Sequence, residues 1–309
     1  MESSYNWASV NLFVPGAGKS GTTYLHELLN CHPNISMSSI KEPSFWVNKN
    51  FERYTKEDIE AYSSLFINKE NVSFLGESST AYMTHPLFIE RIKKHSRRNT
   101  KFIFVLRNPI DRVYSHYSYL KGIGLETLKF KKAILRDKDI EPSDTAKLFD
   151  GKEKNYYQYG LYGKWLSKFY ETLGKENIKI ILFEELINEP LEVINDCFSF
   201  LDLKSINALP NNIATNKTKF YKRPKINIII KKLQLGKYLF VNKFNKYIPK
   251  LIRNFIKKTL NKLNTIEEEK KNKTLSIEDR IWIRDMYKND IQLLKKISNR
   301  SFSLWQDFN

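Results

Sequence analysis

The run Phe13-Val14-Pro15-Gly16-Ala17-Gly18-Lys19-Ser20-Gly21-Thr22-Thr23-Tyr24-Leu25 concentrates glycine, lysine and hydroxyl residues in one turn. Glycines let backbone N–H groups approach an anion, the lysine adds a mobile point charge, and the hydroxyls add donors. A second set, Arg107-Asn108-Pro109-x-x-Arg112-x-x-Ser115-x-Tyr117, places a cation and a hydroxyl eight residues apart. A third, Lys41-Glu42-Pro43-Ser44-Phe45-Trp46, offers a carboxylate for general-base work beside two aromatic rings. A fourth, Glu77-Ser78-Ser79-Thr80-Ala81-Tyr82, adds another carboxylate.

The elements around these residues position them. Val10 to Val14 reads as a buried parallel strand, and Leu25, Leu28 and Leu29 recur at helical spacing. Strand, glycine-rich turn and helix start form a phosphate cradle, with N–H groups and helix dipole aimed at the ligand. Lys101 to Leu106 reads as the clearest buried strand, with Arg107 leaving its C-terminal end, where ligands collect in open parallel sheets. Pro109 then starts a helix, so Ser115 lies two turns along it and can meet the same anion as Arg107.

The nucleotide-triphosphatase loop G-x-x-x-x-G-K-[ST] requires glycine where Phe13 stands. The order here, Lys-Ser-Gly-Thr-Thr, resembles the 5′-phosphosulfate loop of sulfotransferases that use 3′-phosphoadenosine 5′-phosphosulfate (PAPS). In that family an arginine and a serine spaced like Arg107 and Ser115 hold the donor's 3′-phosphate. Lys41 to Trp46 resembles the Glu-x-x-Phe-Phe segment of the carbohydrate and heparan sulfate types, whose glutamate is the catalytic base; Glu42 occupies that position. Ser44 stands where histidine is frequent, and Ser78 where a lysine often contacts the acceptor.

The resemblance implies the following roles. Lys19 stabilises the leaving phosphate and Glu42 takes the acceptor proton. Gly18, Lys19, Ser20, Gly21, Thr22, Thr23, Tyr24, Arg107 and Ser115 bind PAPS and its product 3′,5′-ADP (PAP). Tyr162 matches a tyrosine near the adenine, and Lys222 and Arg223 fall in a late donor-binding segment. Phe45, Trp46 and Tyr82 are expected to stack on a sugar, with Glu77 beside them as the next candidate base. Implied acceptors are a carbohydrate or lipid-linked glycan. No acidic cluster accompanies the loop, so no metal is expected.

Two other function classes stay open. A nucleotide-dependent kinase or phosphotransferase would place a magnesium-binding aspartate at a strand end, where Arg107 stands instead. A non-enzymatic binder would work through charge. Of the net +18, +15 sits in residues 217–273, where 18 Lys and Arg face Glu267, Glu268 and Glu269. With apolar residues close to helical spacing, this stretch is expected to form a basic helical insertion that meets an anionic membrane or polyanionic acceptor. It carries no nucleic-acid motif, so nucleic acid is not an expected partner.

The 309 residues read as one α/β domain: three layers, α/β/α, around a parallel sheet like that of phosphate-loop proteins. Residues 1–216 form the donor-binding core, 217–273 the insertion, and 274–309 a C-terminal helix and tail. Cys31 and Cys197 suggest buried thiols and no disulfide framework. No basic-then-apolar leader is visible at Met1, so the expectation is a cytoplasmic protein, free or peripheral to the inner membrane face.

Overall fold

The computed structural model describes residues 10–66, 71–96, 99–140, 154–210, 220–221, 265–266 and 275–309. Five strands, β1 (Val10–Val14), β2 (Ile35–Met37), β3 (Phe74–Ser78), β4 (Lys101–Leu106) and β5 (Ile178–Leu182), form an all-parallel sheet in the order β2-β3-β1-β4-β5. From β1 the chain crosses to the edge strand β2, returns inward to β3 beside β1, and then crosses to the other side of β1 for β4 and β5. The switch point therefore falls between β1 and β4, and both candidate anion-binding turns leave the sheet there.

Side chains alternate between the two faces, as the strand pleat requires. Leu12, Val14, Ile103, Val105 and Ile181 join a core with Leu25, Leu28 and Leu29 of α1 (Thr22–Asn30). Leu186 of α7 (Phe183–Asn188) and Ile194, Cys197 and Phe198 of α8 (Pro190–Phe200) complete it. Phe13, Phe102, Phe104 and Leu106 point the other way, into a larger aromatic core. That core is covered by α3 (Pro86–His95), α4 (Pro109–Gly122), α5 (Phe130–Asp137), α6 (Tyr162–Leu173) and α9 (Ile277–Ser298). A further helix, α2 (Lys56–Ser63), starts on a capping box between Thr55 and Asp58. Both faces of the sheet are covered, and its central strands β1 and β4 are accordingly the most apolar, Phe102 to Leu106 without a break.

Helix α9 docks tightly on α6. A Cβ on Gly163 would fall 2.4 Å from the Asp290 carbonyl oxygen. The Asp290 carboxylate accepts the N–H groups of Gly163 and Lys164, each at 2.8 Å, which satisfies orphan donors in the first turn of α6. The periodicity of α9 is only partly right as a guide to burial. Ile283, Tyr287, Ile291 and Leu294 are buried, whereas Ile277, Ile281 and Leu293 face outward. The two cysteines also separate: Cys197 is buried and Cys31 only half-buried. The expected basic insertion, with Lys222 and Arg223, lies outside the described residues apart from a two-strand ladder, Phe220–Tyr221 against Thr265–Ile266.

Candidate active site

The glycine-rich turn bonds directly to β4. Ala17 N–H donates to the Val105 carbonyl at 2.8 Å, and Val105 N–H to the Gly16 carbonyl at 3.0 Å. Gly21 sits before α1 at φ 87, and a Cβ there would meet the Phe183 ring at 2.8 Å, so only glycine turns the chain into the helix. Lys19 is left-handed as well, at φ 71. Its ammonium lies 4.3 Å from the centroid of the Tyr119 ring on α4. Burial first, then the charges of Arg107 and Arg112, hold that ammonium below its ordinary pKa.

Arg107 is half-buried, its guanidinium 4.9 Å from the Phe183 ring and its Nη1 3.5 Å from the Lys19 carbonyl. Ser115 is half-buried one helical stretch further on. Arg112 is fully buried; Nη2 donates to the Tyr156 carbonyl, and the guanidinium lies beside the Tyr287 hydroxyl. The Ser20 hydroxyl is equally buried, beside the Tyr162 hydroxyl. Three cations repel one another at the strand-end crevice, and Lys19 and Arg107 are the two that keep contact with solvent. An anion bound beside those two would relieve the repulsion.

Glu42 is held at the mouth of this crevice by the end of β3. Its backbone N–H donates to the Ser78 carbonyl at 2.9 Å. Thr80 N–H donates to Glu42 Oε2 at 2.7 Å, and the Thr80 hydroxyl to Oε1 at 3.2 Å. The same Thr80 hydroxyl lies only 3.6 Å from where a Gly18 Cβ would stand, so Glu42 and the glycine-rich turn share a neighbour. Lys41 Nζ pairs with Glu42 Oε1 at 2.6 Å. Glu42 is exposed to solvent and left-handed at φ 62, with Ser44 at φ 53.

The remaining acceptor-side residues are corrected by burial. Phe45, Trp46 and Tyr82 are 6%, 0% and 0% exposed, so no ring face is offered to a sugar. Phe45 stacks on Tyr62 at 3.9 Å and Tyr82 on Phe88 at 4.2 Å instead. Glu77 is also fully buried and cannot meet a substrate. It is a structural hub: the hydroxyls of Tyr62, Tyr82 and Ser79 all donate to its carboxylate. Each of those hydroxyls then accepts one N–H from the segment after Glu42. Ser79 takes Ser44 N–H at 3.0 Å, Tyr82 takes Trp46 N–H at 3.2 Å, and Tyr62 takes the Trp46 indole N–H at 3.3 Å. Tyr162 is corrected in the same way. Its ring is fully buried, and its hydroxyl donates to the Arg107 carbonyl at 2.9 Å rather than facing a base.

Burial pushes the Glu77 carboxyl up to about 7, against the pull of its three hydroxyl donors. Its folded pKa lies above the unfolded value, so its contribution to stability is fully present below about 4.5 and lost as pH rises through 7. Glu77→Gln, which stays neutral, should therefore gain on wild type by up to about 3 kcal/mol between pH 4.5 and pH 8. Urea unfolding of both proteins across that range measures it; a constant difference would mean that Glu77 is ionised at every pH.

The sequence assigns no role to Arg112 or Thr80 within their motifs, and Tyr62 lies outside every motif. Arg112 was visible as an arginine one helical turn before Ser115, on the same face of α4. Thr80 and Tyr62 gave no local signal, because their partners are 38 and 15 residues away.

The family model of the sulfotransferase domain matches residues 10–272. The chain belongs to the sulfotransferase domain family. Carbohydrate sulfotransferase 15 of Homo sapiens is 23% identical over 244 residues, 62% of this chain and 44% of that protein. Heparan sulfate glucosamine 3-O-sulfotransferase 6 of Homo sapiens is 26% identical over 225 residues, 72% of this chain and 59% of that protein. The chain thus spans about half the length of the curated relatives it matches. A sulfotransferase crystal structure from Alicyclobacillus acidocaldarius superposes with a TM-score of 0.65 at 22% identity, covering 96% of this chain and 98% of that one, which shows the shared fold. The sulfotransferase domain is thus built on a five-stranded parallel sheet with helices on both faces.

Proposed function

We propose that this sulfotransferase moves the sulfuryl group of PAPS to a hydroxyl or amine of a carbohydrate acceptor. The observation that supports this reading is the meeting of Lys19, Arg107 and Arg112 at the β1–β4 switch point, with Glu42 tethered to the same crevice by Thr80. The donor supplies an activated sulfuryl group. Glu42 takes the acceptor proton as the acceptor's oxygen or nitrogen bonds to sulfur and the bond from sulfur to the 5′-phosphate oxygen breaks. Lys19 and the N–H groups of the glycine-rich turn meet the charge that develops on that oxygen. Its position between burial and two arginines favours a lysine that an anion draws in, away from the Tyr119 ring. Arg107 and Ser115 face the 3′-phosphate in this reading. The two human relatives support a carbohydrate acceptor. A lipid-linked glycan, or an anionic surface met by residues 217–273, would extend the same reading.

Nucleotide binding tests it directly. Isothermal calorimetry should show 3′,5′-ADP binding more tightly than 5′-AMP, with ATP weakest. Arg107→Ala should remove about ten- to a hundredfold of 3′,5′-ADP affinity and Ser115→Ala about a third of that free energy, with 5′-AMP unchanged. Tighter binding of ATP than of 3′,5′-ADP would instead favour a kinase. Transfer of label from PAPS onto heparan and chondroitin chains, intact and desulfated, then tests the acceptor class.

A further inference from the structure

The peptide unit that joins Arg107 to Asn108 is held at both ends. Tyr162 donates to its carbonyl at 2.9 Å, and its N–H donates to Glu184 Oε1 at 3.0 Å. This peptide sets the direction in which the Arg107 side chain leaves β4. Beyond it, the guanidinium rests against the Phe183 ring and makes one long contact to the Lys19 carbonyl.

The outer supports of that peptide come from the far end of the chain. Glu184 Oε2 accepts the Trp305 indole N–H at 3.1 Å. Asn108 Nδ2 donates to Asp307 Oδ2 at 2.7 Å, across 199 residues, while Asn108 Oδ1 caps α4 by accepting Ile110 N–H at 3.0 Å. Asp307 is itself gripped by Arg280, from Nε to Oδ1 at 2.7 Å and from Nη2 to Oδ2 at 2.6 Å. The third nitrogen of Arg280 reaches Asp111 in the first turn of α4 at 2.8 Å. Trp305 is fully buried, 6.0 Å from the Tyr162 ring and 4.6 Å from Phe302. The segment thus contacts both residues, Tyr162 and Glu184, that fix the Arg107–Asn108 peptide, and Asn108 itself.

We propose that Trp305 and Asp307 are positioning residues for the nucleotide's 3′-phosphate: acting through Glu184, Tyr162 and Asn108, they aim Arg107 and so set the preference for 3′-phosphorylated nucleotides. The inference rests on the donor reading above. Its physical basis is leverage. A guanidinium on a flexible stem gives selectivity only if its root is fixed, and fixing the root beforehand removes an ordering cost from binding. Asp307 performs that task as a charge-assisted acceptor shared between Arg280 and Asn108, a stronger bond than a neutral one. Losing its charge weakens the hold on the Asn108 amide and leaves Arg280 paired with Asp111 alone among these acids.

The test is calorimetric, on the full chain, with 3′,5′-ADP and 5′-AMP as probes. Wild type is compared with Asp307→Asn, Trp305→Phe and Leu304→Ala, the last at a side chain of the same segment that is 47% exposed. Asp307→Asn and Trp305→Phe should each cut the preference for 3′,5′-ADP about three- to thirtyfold, with 5′-AMP affinity held within about twofold. Leu304→Ala should match wild type. A merely structural role would weaken both nucleotides together and leave the ratio alone, and that result overturns the proposal. If Asp307→Asn does not fold, Trp305→Phe, which keeps ring packing and loses only the indole donor, decides alone. A wild type without preference for 3′,5′-ADP would sink the donor reading itself. A wild type that has the preference, with variants that keep it, sinks the positioning role and leaves the donor reading standing.

Discussion

Lys19→Ala should fold normally and transfer sulfuryl groups about 10²–10³-fold more slowly than wild type. Its ammonium is held below the usual lysine range by burial and by Arg107 and Arg112, and its near neighbour is an aromatic ring, not a carboxylate. Removing it therefore breaks no ion pair and relieves a repulsion, so the melting temperature should hold or rise. The left-handed backbone at φ 71 is equally strained for alanine and lysine, so the comparison isolates the side chain. The loss should appear in turnover more than in 3′,5′-ADP affinity, because charge accumulates on the leaving oxygen during transfer. Label release from PAPS, followed under saturating donor, checks this. A variant that turns over like wild type would remove Lys19 from the chemistry.

Glu42→Gln carries the other large effect, a fall of about 10²–10⁴ in turnover from loss of the proton acceptor. The amide oxygen can still accept the Thr80 N–H, so the loop should keep its place. The Lys41 pair is lost, but both partners are partly exposed and the pair adds little to stability. Donor affinity should remain within about twofold, which separates this variant from Arg107→Ala. Undiminished transfer would move the base elsewhere, and Glu77 cannot take over from its buried position.

The burial of Glu77 shows where reading the chain alone reaches its limit. The strand-end carboxylate is legible, but its distance from solvent is set by α2, whose Tyr62 closes over it from outside the motif. Phe45, Trp46 and Tyr82 pose the same difficulty. An aromatic residue next to a catalytic motif has the same composition whether it faces a ligand or a core, and only the packing of α2 and α3 decides.

The chain by itself determined what depends on neighbouring residues. Apolar runs and their turn residues specify β1 and β4, the helices that follow them and the parallel sheet, because period and capping are local properties. The Lys-Ser-Gly-Thr-Thr turn and the Arg-Asn-Pro turn announce anion binding, because glycine placement and strand-end position are also local. Tertiary structure decided the rest. It brought β1 and β4 side by side, set Thr80 between Glu42 and Gly18, and carried Asp307 across 199 residues to Asn108. It also buried Arg112 and left Glu42, not Glu77, in contact with solvent. Burial and long-range hydrogen bonds arise from which surfaces meet, and no window of sequence contains both partners.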